Sequence, residues 1–407
     1  MISETTAQQN SSTVQQVETS FKLACVWLSK GKFERAIAGF QKVLQLNPEH
    51  IQAQVHLDYL QQLLRQSQTT ESILQRGTSP PKINLSHQKL FASHRCGWGY
   101  AIQALQPLHS DRGVLFNGCL ESSFLWKDYQ PNQLRVPYLQ PWVGVLHNPP
   151  AMPSWFCYQD SPQSLFSQSS WMKSLEHCIG LFCLSEYHAH WVREQTKKPV
   201  SSLIHPTEIP DLQFDFDRFM ANPNKKIIQL GWWLRKLASI YQLPIPQSNR
   251  LNYQKIKLNP ASMLDSENQL QKLVNKQIEV EQISLNPAFV ENTLDLAHVS
   301  NQKYDELLSE NIGFIELYDT SANNAVIECI ARATPVLINP LPAVIEYLGT
   351  DYPMYFNSLS EAAEKAMDVE LIWTTHEYLK TCETRYKLSA KYFLKSFQES
   401  EVYQLIH

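Results

Sequence analysis

The segment that decides the fold is Leu317–Asn339, LYDTSANNAVIECIARATPVLIN. An apolar run gives way to a polar loop. The loop opens a helix whose apolar residues recur at helical spacing, and the small-residue turn Ala333-Thr334-Pro335 leads into a second apolar run. Strand, loop, helix and strand in succession form the unit of a parallel sheet, because parallel neighbours need a crossover and the crossover is usually a helix. Ligands of such sheets bind beyond the carboxyl ends of the strands, which directs attention to Asp319 through Asn324.

The same alternation extends in both directions. LFAS (90–93), VLF (114–116), WVGVLH (142–147), IGLFCLS (179–185) and SSLIH (201–205) are strand candidates, with YAIQALQPL (100–108) and EYHAHWVREQ (186–195) as helices. KKIIQLG (225–231), IGFIELY (312–318) and PVLIN (335–339) continue the strand series, separated by the helices AVIECIA (325–331) and SEAAEKAMD (360–368). The pattern predicts an α/β chain with two facing, doubly wound, Rossmann-like domains, 85–220 and 221–385. Residues 386–407 add a C-terminal helix. Facing domains put the ligand site in the cleft between them.

Residues 1–20 are rich in Ser, Thr and Gln and are expected to form a disordered arm. From Phe21 to Gln66 the pattern is helical: Phe21, Ala24, Trp27 and Leu28 share a stripe, a Gly31-Lys32 break follows, and Ala36, Phe40 and Val43 lie on the next helix before Pro48. This resembles about one and a half tetratricopeptide repeats, helix-turn-helix units of about 34 residues. The resemblance implies a short all-α helical-repeat module at 21–66 that must dock on the rest of the chain, a second copy or another protein. The Gly- and Pro-containing stretch 67–84 reads as a linker.

Composition bounds the function. The 407 residues are 43% hydrophobic and 18% charged, with a formal net charge of −4. That composition suits packed domains and gives no overall electrostatic footprint for nucleic acid. The eight cysteines show no CxxC pair, which is expected of reduced thiols. Neither a leader pattern nor a long apolar run is evident, so a cytoplasmic chain without a transmembrane segment is expected.

The motifs narrow this further. Glu328-Cys329-Ile330-Ala331-Arg332-Ala333-Thr334-Pro335-Val336 fills the frame Glu-Ala-Met-Ala-x-Gly-Thr-Pro-Val and resembles the donor-binding segment of GT-B glycosyltransferases, in particular the retaining, family-4-like group. The resemblance implies that Glu328 accepts hydrogen bonds from the donor ribose, and that Thr320, Ser321, Asn323 and Asn324 sit around the diphosphate at a helix N-terminus. The family's second acidic residue falls at Thr320, leaving Asp319 as the catalytic substitute one residue earlier. KKIIQLGWWLRKLASIYQLP (225–244) resembles the family's first C-terminal-domain strand and loop, with Gly231, Arg235 and Lys236 supplying the turn and the cations for a departing diphosphate.

His147, immediately after WVGVL and followed by Asn148 and two prolines, is the first catalytic candidate, expected to orient the sugar. Gly97, Trp98 and Gly99 form a glycine turn expected near the acceptor. The resemblance is most specific in 312–347 and 225–244. It implies transfer of a sugar from a nucleotide-diphosphate sugar to a protein, glycan or lipid-linked acceptor, with no cofactor and no metal. The donor base, the sugar and homo-oligomer formation stay open. Two rivals remain: a non-catalytic GT-B and repeat scaffold, supported by the Thr320 departure and the missing glycines, and a nucleotide-sugar epimerase. Asp215-Phe216-Asp217 matches a metal-binding Asp-x-Asp but falls at the interdomain boundary, where it is expected to do other work.

Overall fold

The computed structural model describes residues 2–29, 32–50, 52–54, 56–58, 60–61, 82–88, 97–126, 135–246, 251–259, 267–296 and 299–406. Helix α1 spans Ile2–Ser29 and α2 spans Phe33–Leu46. The polar segment 1–20, expected as a disordered arm, is therefore helical from residue 2. Val17 and Ala24 are buried with Ala36, Phe40 and Val43 of α2, and further helical turns add Ala53, Leu57 and Leu60. A packed C-terminal part nucleates α1, and each polar residue upstream then extends it at little cost. Close approach of the two helices needs a small residue at Gly39, whose added Cβ would come within 2.7 Å of the Ala24 Cβ.

Five parallel strands form the first sheet in chain order: β1 (Ile83–Asn84), β2 (Val114–Asn117), β3 (Trp142–Leu146), β4 (Cys178–Cys183) and β5 (Val200–Ser202). β1 lies at the end of the expected linker, so this domain begins slightly before residue 85. The strand expected at 90–93 falls outside the described residues. Alternate residues of β3 feed two cores. Val143 and Val145 pack with α3 (Trp98–Leu105), while Trp142 and Leu146 face the side that carries α4 (Leu120–Phe124), α5 (Pro162–Phe166), α6 (Ser169–Leu175) and α7 (Glu186–Thr196). Both faces are covered, so β3 is buried along its whole length, as its unbroken apolar sequence requires.

The second half opens with α8 (Phe216–Ala221), whose N-cap is Asp215: its carboxylate accepts from Arg218 N–H at 2.7 Å. The sheet runs in the order β10-β9-β6-β7-β8, all parallel. Its strands are β6 (Lys226–Gln229), β7 (Gln254–Leu258), β8 (Thr293–Leu296), β9 (Ile312–Ile315) and β10 (Val336–Ile338). The connecting helices used below are α9 (Ser239–Gln242), α10 (Glu267–Val280), α11 (Pro287–Glu291), α12 (Asn301–Ser309), α13 (Asn324–Arg332) and α14 (Pro342–Leu348). The chain steps outward from β6 to β8 and then returns to the other side of β6. The doubly wound reversal thus lies between β6 and β9, and among the described residues only this sheet has it.

After α15 (Leu359–Met367), α16 (Val369–Thr381) and α17 (Glu383–Lys387), the chain crosses back. Helices α18 (Ala390–Glu399) and α19 (Glu401–Gln404) close the first sheet, with Phe397 stacked on Phe182 at 4.7 Å and Val402, Tyr403 and Ile406 in the same core. The C-terminal helix expected at 386–407 is therefore a structural part of the N-terminal half.

Candidate functional site

The reversal between β6 and β9 leaves their exit loops side by side, the arrangement that forms a ligand crevice in open α/β sheets. The β6 exit turns at Gly231, which has φ +75°, and an added Cβ there would lie 2.7 Å from Arg235 Nη2. Leu234 also adopts a left-handed backbone, at φ +56°. The turn aims Arg235 inward. Its Nε donates to Leu230 O at 3.1 Å, Nη1 to Trp233 O at 2.6 Å and Nη2 to Asn323 Oδ1 at 2.9 Å. Burial pulls its pKa down to about 10, which leaves it a cation at neutral pH. Arg235 is thus the strut that ties the β6 exit to the β9 exit.

Lys236 pairs with Glu316 at 2.9 Å, its ammonium 5.9 Å from the centre of the Tyr318 ring. Of the two expected diphosphate cations, Lys236 is the one with solvent access.

The β9 exit carries the polar loop into α13. Asn323 is the N-cap: its Oδ1 accepts from Ala325 N at 3.1 Å and Val326 N at 3.3 Å in addition to Arg235. Thr320 donates its hydroxyl to Ala322 O and its N–H to Asp319 Oδ1. Asn324 opens the helix half-buried. Glu328, one turn on, is buried and accepts from Tyr304 Oη of α12 at 2.7 Å. The helix ends at Ala333, φ +53°, the position that glycine holds in the sequence frame, so the frame's glycine slot is a left-handed cap here too.

Across the crevice stands the β3 exit. The buried carboxylate of Glu121, at the start of α4, accepts from the N–H groups of His147 at 2.7 Å and Asn148 at 2.8 Å. His147 Nε2 lies 2.7 Å from Gly118 O. A carbonyl can only accept, so Nε2 carries the proton and Nδ1 of the neutral ring is the free basic nitrogen. Trp98, at the start of α3 behind the N-cap Gly97, packs edge-on against His147 at 5.0 Å, and Gly99 is buried beside it. Asn148 anchors the loop through Asp160 O at 2.8 Å. Trp98 also meets His205, which follows β5, at 5.6 Å.

The two sides touch. Asp319 Oδ2 accepts from Ala151 N at 2.7 Å and from Tyr187 Oη at 3.2 Å. Burial raises the Asp319 pKa against these two donors and the Thr320 N–H, and burial together with the carboxylate pushes Tyr187 up to about 12. Beyond Ala151 the loop seats Phe156 in the core of the C-terminal half, among Trp232, Trp233 and Tyr318. Ala322 packs in return against the N-terminal core. Among the described residues no group of three or more His, Cys, Asp or Glu is arranged to hold a metal ion, and no helix is long and apolar enough to cross a membrane.

The structure therefore brings together His147, Asn148, Asp319, Thr320, Ser321, Asn323, Arg235 and Gly231 around one crevice, with Trp98 behind His147. It gives Arg235, Asp319 and Glu328 partners of their own. Sequence reading missed Glu121, Tyr187, His188 and Tyr304. All but Tyr304 could have been sought by one rule, that the residues following each strand matter.

No family model matches the chain, and no curated protein does. Among solved structures the chain is similar to an α,α-trehalose 6-phosphate synthase from Burkholderia multivorans, at 12% identity and TM-score 0.44 over 74% of each chain. It is similar to an S. aureus TarM mutant in complex with fondaparinux, α-GlcNAc-glycerol and UDP, at 14% identity and TM-score 0.47 over 76% of this chain and 59% of that one. It is also similar to sucrose-phosphate synthase from Thermosynechococcus elongatus, at 13% identity and TM-score 0.45 over 72% and 73%.

Proposed function

We propose that this chain is a GT-B glycosyltransferase that moves a sugar from a nucleotide-diphosphate donor to an acceptor held in the crevice between its halves, without a resident metal and with retention of configuration. The observation that carries the reading is the meeting of the β6 and β9 exits at the sheet's reversal, with a capped helix N-terminus, a cation and a facing histidine loop. A departing diphosphate needs preorganised positive charge in a site shielded from water. Lys236 supplies the accessible charge, and Arg235 acts by fixing Asn323 at the α13 N-terminus, whose dipole favours an anion. Glu328 is the ribose acceptor once Tyr304 yields it. His147, with Nδ1 free, faces the sugar.

A second reading has its own support. Arg235, Asp319 and Glu328 are already satisfied within the protein, which favours a non-catalytic scaffold whose N-terminal repeat-like module grips a protein partner. Calorimetry and thermal shift of the purified chain against UDP, GDP, ADP and CMP and their sugars, with and without magnesium, separate the two. Binding to the native state must raise the melting temperature by mass action. A magnesium-independent shift with one nucleotide supports the transferase, whereas silence across the panel moves the reading to the scaffold.

A further inference from the structure

Leu184–His188, the end of the β4 exit and the first turn of α7, bonds across the crevice along its whole length. Leu184 O accepts from Tyr347 Oη at 2.8 Å, and Ser185 Oγ lies 3.5 Å from Ser321 Oγ. The N–H groups of Glu186 and Tyr187 donate to the Glu346 carboxylate of α14 at 2.6 and 2.7 Å. Tyr187 Oη reaches Asp319, and His188 Nδ1 lies 2.9 Å from Ser321 Oγ. Five consecutive residues of the N-terminal half thus each bond to the C-terminal half.

His188 differs from the others. Its ring is fully buried and its Nε2 has no hydrogen-bond partner. Burial, joined by repulsion from His147 whenever that ring is protonated, pulls its pKa down to about 3, so the imidazole is neutral at ordinary pH. A neutral ring can accept at Nδ1 from the Ser321 hydroxyl. Two residues beyond Ser321, Asn323 caps α13 and takes Arg235, so Ser321 is held at one end of a loop whose other end is fixed by the helix N-terminus.

We propose that the first turn of α7 is the clamp that sets the 319–323 loop against the N-terminal half, with His188 as its positioning residue. For its bearing on catalysis the inference rests on the transferase reading, which assigns that loop to the donor. His188 touches no substrate in this account. It acts through Ser321.

Hydrogen–deuterium exchange on the full chain tests the clamp. His188→Ala and Ser321→Ala should each raise exchange of the 319–324 amides about fivefold, the ratio expected for one net hydrogen bond. The double variant should exchange no faster than Ser321→Ala, which already removes the His188 bond together with the Ser185 contact. His188→Asn, which keeps a polar atom near the Nδ1 position, should stay within about twofold of the parent chain. If His188→Ala does not fold, Ser321→Ala decides alone, since it deletes only a hydroxyl. Unchanged exchange in Ser321→Ala, or effects of the two single variants that add, would overturn the clamp. UDP, GDP and ADP titrated into the same samples separate the two ideas: a parent chain that binds none contradicts the transferase reading, while the exchange rates still decide the clamp.

Discussion

Asp319 and Ala151, 168 residues apart in sequence, meet at 2.7 Å across the crevice, carboxylate to backbone N–H. This carboxylate, shared with Tyr187, makes Asp319 a clasp between the two halves. Removing it should loosen the closed arrangement. Asp319→Ala is expected to lower the unfolding free energy by about 1.5–3 kcal/mol, the range for hydrogen bonds to a charged partner. Urea denaturation gives that number, and a change below about 0.5 kcal/mol, the scatter of ordinary surface substitutions, speaks against the clasp.

Gly231 is the turn that lets Arg235 fold back. Gly231→Ala adds a Cβ at 2.7 Å from the guanidinium in a backbone with φ +75°. The left-handed conformation alone costs a non-glycine residue about 1–2 kcal/mol, and displacing Arg235 also removes its bond to Asn323. A loss of at least about 2 kcal/mol in thermal or chemical unfolding is expected, together with weaker nucleotide binding. A variant as stable as the parent would mean that the turn tolerates a side chain.

Glu328 and Tyr304 give a test that stability alone cannot. If Glu328 is a ribose ligand, Glu328→Ala abolishes nucleotide affinity, whereas Tyr304→Phe releases the carboxylate and leaves affinity equal or higher. If the carboxylate serves only the α12–α13 contact, neither variant changes affinity and both lower stability by about 1 kcal/mol. Calorimetric titration with the nucleotide that shifts the parent chain reads the difference.

The pH dependence of stability carries the signature of His188. The ring titrates near 3 in the folded chain against 6.5 ordinarily. Between those values the unfolded chain binds a proton that the folded chain refuses. Stability from this group is therefore complete above pH 6.5 and falls as pH drops, by about 1.4 kcal/mol per unit. Asp319 acts with the opposite sign: its raised folded pKa means the folded chain takes up its proton first, which favours folding as pH falls through that value. His188→Asn removes only the first effect. Its unfolding free energy should fall less steeply than the parent's between pH 6.5 and about 4, and parallel profiles would show that the buried ring does not govern acid sensitivity.

Much of the fold was legible because apolar runs of parallel strands survive as continuous stretches. IGFIELY and PVLIN became β9 and β10, and AVIECIA became α13. β7 was missed because QKIKL alternates lysine with isoleucine and leucine, and Lys255 and Lys257 are buried all the same. Their ammonium groups reach the carbonyls of Tyr241 and Leu243 and the Tyr241 hydroxyl, partners that no local pattern reveals. The N-terminal arm failed differently. Composition judged residues 1–20 alone, whereas their helix is seeded by packing further along the chain. The site followed the same division: the sequence frame around Glu328 located the loop and its left-handed cap at Ala333, but Asn323 on Arg235, Ala151 and Tyr187 on Asp319, and Ser321 on His188 come from another strand exit or from the opposite half.

The most direct test of the central claim is calorimetric titration of the purified 407-residue chain with nucleoside diphosphates, UDP first, with and without magnesium. The account predicts saturable, magnesium-independent binding of one nucleotide that is lost in Glu328→Ala and weakened in Lys236→Ala. No heat and no rise in melting temperature with any nucleotide or nucleotide sugar would contradict it.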